Sequence, residues 1–302
     1  MIKILVVVIL VAIIAISAVG IVDNNYGINY GGYNSFSNSP FLTLTANITH
    51  PSPQANFTYG YASPNLWGFA HGGGNTMMEF YRNSSIHIIV NFINDGLGIA
   101  AFGYSSEHFT HNLPMPLSVV YKDNLSSYVS FNVVSKNSGT ANDLAYDMFL
   151  GQSGQLQYEV MIMLGVNTGT TDNGYADGPF SMLQSVVIPT KVNNNIQDVN
   201  WIVSTGSESS SGAFPVYVFT PSIVVQNKMS YTIDFTPFLS YLQNNSYIPY
   251  NVSIVRLGIG SDFAVSGSVS SVYNTPEYNF WLYSYFVLNG TKYQIIQPSG
   301  GI

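Results

Sequence analysis

From about residue 57 onward, apolar positions come in short runs rich in β-branched and aromatic residues, with Gly, Asn, Ser and Pro between them. The runs cover 86–92, 117–121, 128–134, 143–150, 158–164, 199–204, 216–219, 252–257 and 280–288. Their length and spacing predict an all-β sandwich or barrel. One stretch, 236–242, has helical spacing, and it is brief. No internal repeat of roughly 20–50 residues occurs, which argues against a propeller or solenoid. Two segments precede this body. Residues 23–56 are polar and rich in Gly, Asn, Ser and Pro, the composition of a linker or stalk. Before them, residues 4–22 are apolar apart from Ser17 and Gly20. Residues 1–22 therefore read as a signal peptide, with Ala15-Ile16-Ser17 as a small-residue cleavage site, or as a membrane anchor. Either reading expects an extracellular or cell-surface protein that meets the membrane only through this N-terminal segment. The body is expected at 57–302.

Composition narrows the function. Charged residues are 8% of the chain, against about 25% in an average soluble protein. The basic residues are scattered singly, so no footprint for a phosphate backbone exists and nucleic-acid binding is excluded. With 46% hydrophobic and 14% aromatic residues the chain is not of the disordered class. It has no Cys, which excludes a disulfide scaffold, thiol catalysis and Cys-ligated metal. Acceptor sequons at Asn47, Asn56, Asn83, Asn124, Asn244, Asn251 and Asn289 fit a glycosylated exported protein.

The hairpin at 143–164 carries the most chemistry. Alternation puts Ala145, Asp147 and Phe149 on one face of its first strand, and Glu159, Met161 and Met163 on one face of its second. A register pairing Leu150 with Leu156 sets Asp147 directly opposite Glu159. Two facing carboxylates destabilise a sheet unless one holds a proton. A one-residue shift instead sends the two acids to opposite faces, and pattern alone leaves both registers open. Other constellations are weaker. His108-x-x-His111 beside Glu107 does not converge on a metal in a strand or loop. His71-Gly72-Gly73-Gly74 lacks a Gly-x-Ser-x-Gly partner, so a serine hydrolase is not supported. Asp172-Asn173-Gly174 reads as a turn rather than a calcium loop. Trp281 and the run Tyr283-Ser284-Tyr285-Phe286 are expected in the sheet core, because strands bury aromatics routinely.

At this hairpin the sequence resembles the family 12 glycoside hydrolases, the small jelly-roll endoglucanases. Ala145-Tyr146-Asp147-Met148-Phe149-Leu150 is similar to that family's Ala/Ser-Tyr-Asp-Ile-Phe/Trp-Leu strand. Glu159-Val160-Met161-Ile162-Met163-Leu164 is similar to its Glu-Ile-Met-Ile-Trp-Leu strand. Asn65-Leu66-Trp67-Gly68, Trp201-Ile202-Val203, Asp234 to Leu242 and Gly260-Ser261-Asp262 follow in the family's order. The resemblance implies a concanavalin-like jelly-roll β-sandwich of two curved antiparallel sheets with one short helix. It implies retaining, endo-acting hydrolysis of β-1,4-glucan in an open cleft, by a monomer needing no cofactor and no metal. Glu159 matches the nucleophile, Asp262 the general acid/base, and Asp147 the carboxylate that hydrogen-bonds the nucleophile. Asn65, Trp67 and Met161 match substrate-contacting positions.

Three departures qualify that inference. Asp262 stands where the family has Glu, Met163 where it has Trp, and Gly103-Tyr104-Ser105 lacks the family's Pro. Asp is one methylene shorter, which sets its carboxyl back by about 1 Å, and a misplacement of that size costs on the order of a hundredfold. A sugar-binding sandwich that has lost its acid is the alternative reading, and a structural surface subunit the third. The scarcity of carboxylates also suggests an acidic habitat, because few paired carboxylates remain to be neutralised by acid. Unfolding curves at pH 3 and pH 7 are then expected to differ little, and a large loss at pH 3 would contradict the suggestion.

Overall fold

The computed structural model describes residues 39–69, 73–93, 99–136, 140–153, 155–167, 180–207, 214–223, 226–266 and 278–298. The apolar leader, His71 and the Asp172-Asn173-Gly174 turn lie outside these residues. Among the described residues no helix is long and apolar enough to cross a membrane.

The strands form two curved layers. The front sheet runs β2 (Ala55–Phe57), β3 (Gly60–Phe69), β6 (Ile99–Phe109), β15 (Ser253–Ser266), β9 (Thr140–Gln152), β10 (Gln155–Asn167), β13 (Pro215–Pro221), β12 (Asn195–Ser207) and β11 (Ser181–Val192). The short β7 (Met115–Pro116) extends the β6 side of β15. The back sheet runs β1 (Leu42–Ala46), β4 (Gly73–Phe80), β5 (Ile86–Ile93), β16 (Tyr278–Leu288), β8 (Ser126–Lys136) and β14 (Lys228–Asp234). β17 (Thr291–Tyr293) folds back on the end of β16. β11 joins the layers, pairing β12 along its length and β14 at Lys191 and Val192. Neighbours are antiparallel except β10 and β13. This is the expected all-β jelly-roll sandwich.

Alternation builds the core between the layers. On β9, Leu144, Tyr146, Met148 and Leu150 face inward, and on β10 Val160, Ile162 and Leu164 meet them. From the back sheet come Phe80, Ile88, Phe131, Tyr231, Phe280 and Phe286. Helix α2 (Phe235–Asn244) closes one end of this core. Asp234 caps it by accepting from the Thr236 N–H at 2.9 Å. Its Phe238 ring meets buried Trp201 edge-on, with centroids 4.9 Å apart. The expected helix at 236–242 is therefore present and slightly longer.

Three expectations change. The run at 117–121 is not a strand but helix α1 (Leu117–Asp123). Leu117 and Val120 bury an i, i+3 face, a spacing too short in sequence to separate from strand alternation. The sandwich begins before residue 57, because β1 pairs with β4 and β2 pairs with β3. Finally, Trp281, Tyr283 and Tyr285 are not core. They alternate with buried Phe280, Leu282 and Phe286 and turn half-buried to the outer face of the back sheet.

Candidate active site

The concave face of the front sheet is built by the side chains that the core does not take. The register of β9 decides which these are. At the end of the hairpin Gln152 pairs with Gln155, and a bulge follows between Leu156 and Tyr158. Leu150 therefore pairs with Tyr158, not Leu156. Asp147 stands opposite Met161, and Glu159 opposite Phe149. Of the two registers the pattern left open neither holds as such: Asp147 and Glu159 share a face but stand diagonally rather than directly opposed. Such diagonal neighbours lie about 7–8 Å apart along the sheet.

On its other side β9 pairs with β15, and Asp147 faces Gly258, Ala145 faces Gly260, and Asp143 faces Asp262. Asp262 is thus on the same concave face, one strand beyond Asp147 and four residues further along. Its directly opposed carboxylate is Asp143, a residue the sequence reading passed over. The signal was present, since Asp143 and Asp147 are four apart on one strand and so share a face. On the far side of β15, Asp262 pairs with Tyr104, and Tyr104 pairs with Asn65 on β3. One row across four strands therefore reads Asn65, Tyr104, Asp262, Asp143. Asn65 Oδ1 accepts from the Ser52 hydroxyl at 2.5 Å. Trp67 sits at the β3 bulge between Asn65 and Gly68, but its side chain lies outside the described residues. Met161 lies beneath this face with Ala145, Met163, Val216 and Val218, a small apolar cluster separate from the main core.

Tyr104 ties the carboxylates together. Gly258 and Gly260 leave the floor of β15 bare, and a Cβ on Gly260 would lie 2.3 Å from the Ser105 carbonyl oxygen. The Tyr104 ring crosses this bare strand, and its hydroxyl donates to the Ala145 carbonyl at 3.1 Å. Burial holds the phenol well above the usual range, and the charges of Asp147, Asp262 and Glu159 push it in the same direction. Tyr104 is thus a fixed neutral group within electrostatic reach of all three expected catalytic carboxylates. Glu159 and Asp262 are themselves nearly buried, at 8% and 6% exposure, so charge on either is only weakly screened by water.

Tyr61, His108 and Arg256 close one end of the face. The His108 ring stacks on Tyr61 with centroids 4.4 Å apart. Ser106 Oγ lies 3.2 Å from the Tyr104 carbonyl oxygen, which can accept from it, and 2.8 Å from His108 Nε2. Burial, helped by the Arg256 charge, lowers His108 to about 3 and keeps it neutral. Its neighbour Glu107 points the opposite way, into the sandwich, where the Ser284 hydroxyl donates to it. Burial raises that carboxyl well above the usual carboxylate range. The sequence neighbours Glu107 and His108 therefore serve opposite faces, and His111 joins neither. Among the described residues no group of three His, Asp or Glu could hold a metal.

No family model matches this sequence. No curated protein matches it either. Its fold matches solved structures across most of the chain. A native family 12 xyloglucanase from Bacillus licheniformis is 17% identical over 81% of this chain and 100% of its own, with a TM-score of 0.57. The Trichoderma harzianum endoglucanase 3 from family GH12 is 18% identical over 82% of this chain and 96% of its own, with a TM-score of 0.55. The xyloglucanase domain of NopAA from Sinorhizobium fredii, in complex with cellobiose, is 18% identical over 84% and 99%, with a TM-score of 0.56. The chain has the fold of the family 12 glycoside hydrolases.

Glu107 and His108 set opposing pH dependences. The folded-state pKa of Glu107 lies above its unfolded value near 4.5, so its contribution to stability is whole below pH 4.5 and is lost as pH rises. The folded-state pKa of His108, about 3, lies below its unfolded value of 6.5, so its contribution is whole above pH 6.5 and is lost as pH falls towards 3. His108 thus works against the acid tolerance expected from composition. Between these limits the two slopes, each at most about 1.4 kcal/mol per pH unit, oppose each other. Denaturant unfolding from pH 3 to pH 8 is expected to show Glu107→Gln gaining on the parent as pH rises above 4.5. His108→Gln is expected to gain on the parent as pH falls below 6.5. Variant curves parallel to the parent would contradict these assignments.

Proposed function

We propose that the concave face hydrolyses β-1,4-glucosidic bonds within glucan chains, outside the cell and at acidic pH, with retention of anomeric configuration. The observation that carries the reading is the placing of Asp147, Glu159 and Asp262 on the concave face of a family 12 fold, all within reach of the Tyr104 phenol. Glu159 attacks the anomeric carbon and forms a glycosyl ester as the glycosidic bond breaks. Asp262 gives its proton to the leaving oxygen, then takes one from the water that cleaves the ester. Asp147, diagonal to Glu159, tunes the nucleophile. The Asp143–Asp262 opposition supports the acid role, because two facing carboxylates avoid the cost of double ionisation by keeping one proton between them. Asn65, Trp67 and Met161 are assigned to contacts with the sugar chain. The chain acts as a monomer without cofactor, and residues 1–22 either direct export or hold it at the membrane.

A non-catalytic glucan-binding cleft is the second reading. It is favoured by one observation, that Asp262 is in register with Asp143 rather than beside Glu159.

Reducing-sugar release from soluble β-1,4-glucan and xyloglucan, scanned from pH 2 to pH 7, separates the two. Hydrolysis with an acidic optimum is expected. Asp262→Asn is expected to lose about 10²–10⁴-fold, the usual worth of a general acid, and Glu159→Gln at least as much. A folded protein that binds glucan and releases no sugar at any pH would leave only the binding reading.

A further inference from the structure

The outer face of the back sheet is not an ordinary solvent face, which would alternate towards charged and polar residues. One register row crosses five strands as Glu79, His87, Trp281, Asn132 and Lys228. Trp281 is held in place from two sides. The His87 ring lies flat against it, with centroids 4.2 Å apart and planes 7° apart. Tyr81 tilts against it at 5.0 Å. Both supports are themselves fixed. His87 Nδ1 lies 2.9 Å from Glu79 Oε2, and its Nε2 lies 2.5 Å from Asn279 Oδ1. The Tyr81 hydroxyl donates to the same Glu79 oxygen at 3.0 Å. Ordering so many side chains around a half-buried Trp costs conformational entropy, and the core receives none of the area.

The next row explains the shape of the surface. Tyr283 pairs with Ser130, and Ser130 with Ser230. Two small hydroxyl residues in line, between large neighbours, leave a trough of about 460 Å³. Trp281 and Tyr283 of β16, Tyr128 of β8, Asn193 and Lys228 line it. Asn193 is pinned there, its Oδ1 accepting from the Ser230 N–H at 2.9 Å. Trp281 and Tyr283 are two residues apart on one strand, roughly 7 Å, the scale of one hexose ring. Among the described residues no carboxylate lines the trough. Rigid aromatic faces beside hydroxyls and amides suit a neutral, polyhydroxylated chain, whose C–H faces pack on rings while its hydroxyls find donors and acceptors.

We propose that this trough is a second binding site for a β-glucan chain, on the face opposite the catalytic cleft, with Trp281 and Tyr283 as its platform. It holds the protein on its polymer while the cleft works. The identity of the polymer rests on the glucan reading above.

The test uses the full chain carrying Glu159→Gln, so that polymer is bound and not cut, and measures retention on insoluble β-1,4-glucan. Retention of this parent is the reference for the variants. Trp281→Ala, and independently Ser130→Phe, which fills the trough, are each expected to weaken it about tenfold, as truncating an aromatic anchor does. In chains with Glu159 intact, the same two substitutions are expected to leave oligosaccharide hydrolysis within twofold of the parent. Retention unchanged in both variants would overturn the second site. An intact chain that cuts no oligosaccharide would instead refute the hydrolase reading, and the retention measurements would still decide this one.

Discussion

The placement of β9 between β10 and β15 is the constraint on which the rest depends. Leu144, Tyr146, Met148 and Leu150 must enter the core, because each buries an apolar side chain worth roughly 1.5–3 kcal/mol. A strand has only two faces, so that demand sends Asp143, Ala145, Asp147 and Phe149 to the concave side. A slip of one residue would reverse the assignment and bury two carboxylates. The same demand on β15 and β10 brings Asp262 and Glu159 to the cleft. The site is in this sense a by-product of core packing, and its polar residues need no separate positioning device.

Low charge then shapes how the cleft behaves. Where a typical protein would surround its acids with Lys and Arg, this one uses a bare glycine floor, a buried phenol and a neutral imidazole. Arg256 is the exception, exposed at the rim and 5.7 Å from the centre of the Phe149 ring. The protein interior follows the same habit, with Glu107 held neutral by burial and given a serine hydroxyl rather than a cation.

Much of this was legible in the sequence. The β9–β10 hairpin and the α2 helix follow from spacing alone, whereas spacing left open whether Asp147 and Glu159 share a face. The register did not follow from it. Moving the turn centre by half a residue and adding the bulge at Leu156/Tyr158 each shift the pairing by one, and two such shifts restore the face while moving the partner. Asp143 escaped notice because its importance lies in the β15 register, a pairing between residues more than a hundred positions apart. Tyr104 and His108 escaped because their roles depend on what glycines omit from a neighbouring strand. Trp281 was misassigned for a simpler reason. Aromatic content marks a strand, but not which of its faces is wet, and the alternation of 280–286 carries large rings on both.

The central claim is that the concave carboxylates break a glycosidic bond by double displacement at Glu159. The most direct measurement is proton NMR of the anomer released in the first moments of hydrolysis of a β-linked cello-oligosaccharide, before mutarotation. A first-formed β-anomer is the result this account predicts. A first-formed α-anomer would show single displacement by water, with Asp262 too far back to work with a nucleophile, and would contradict it.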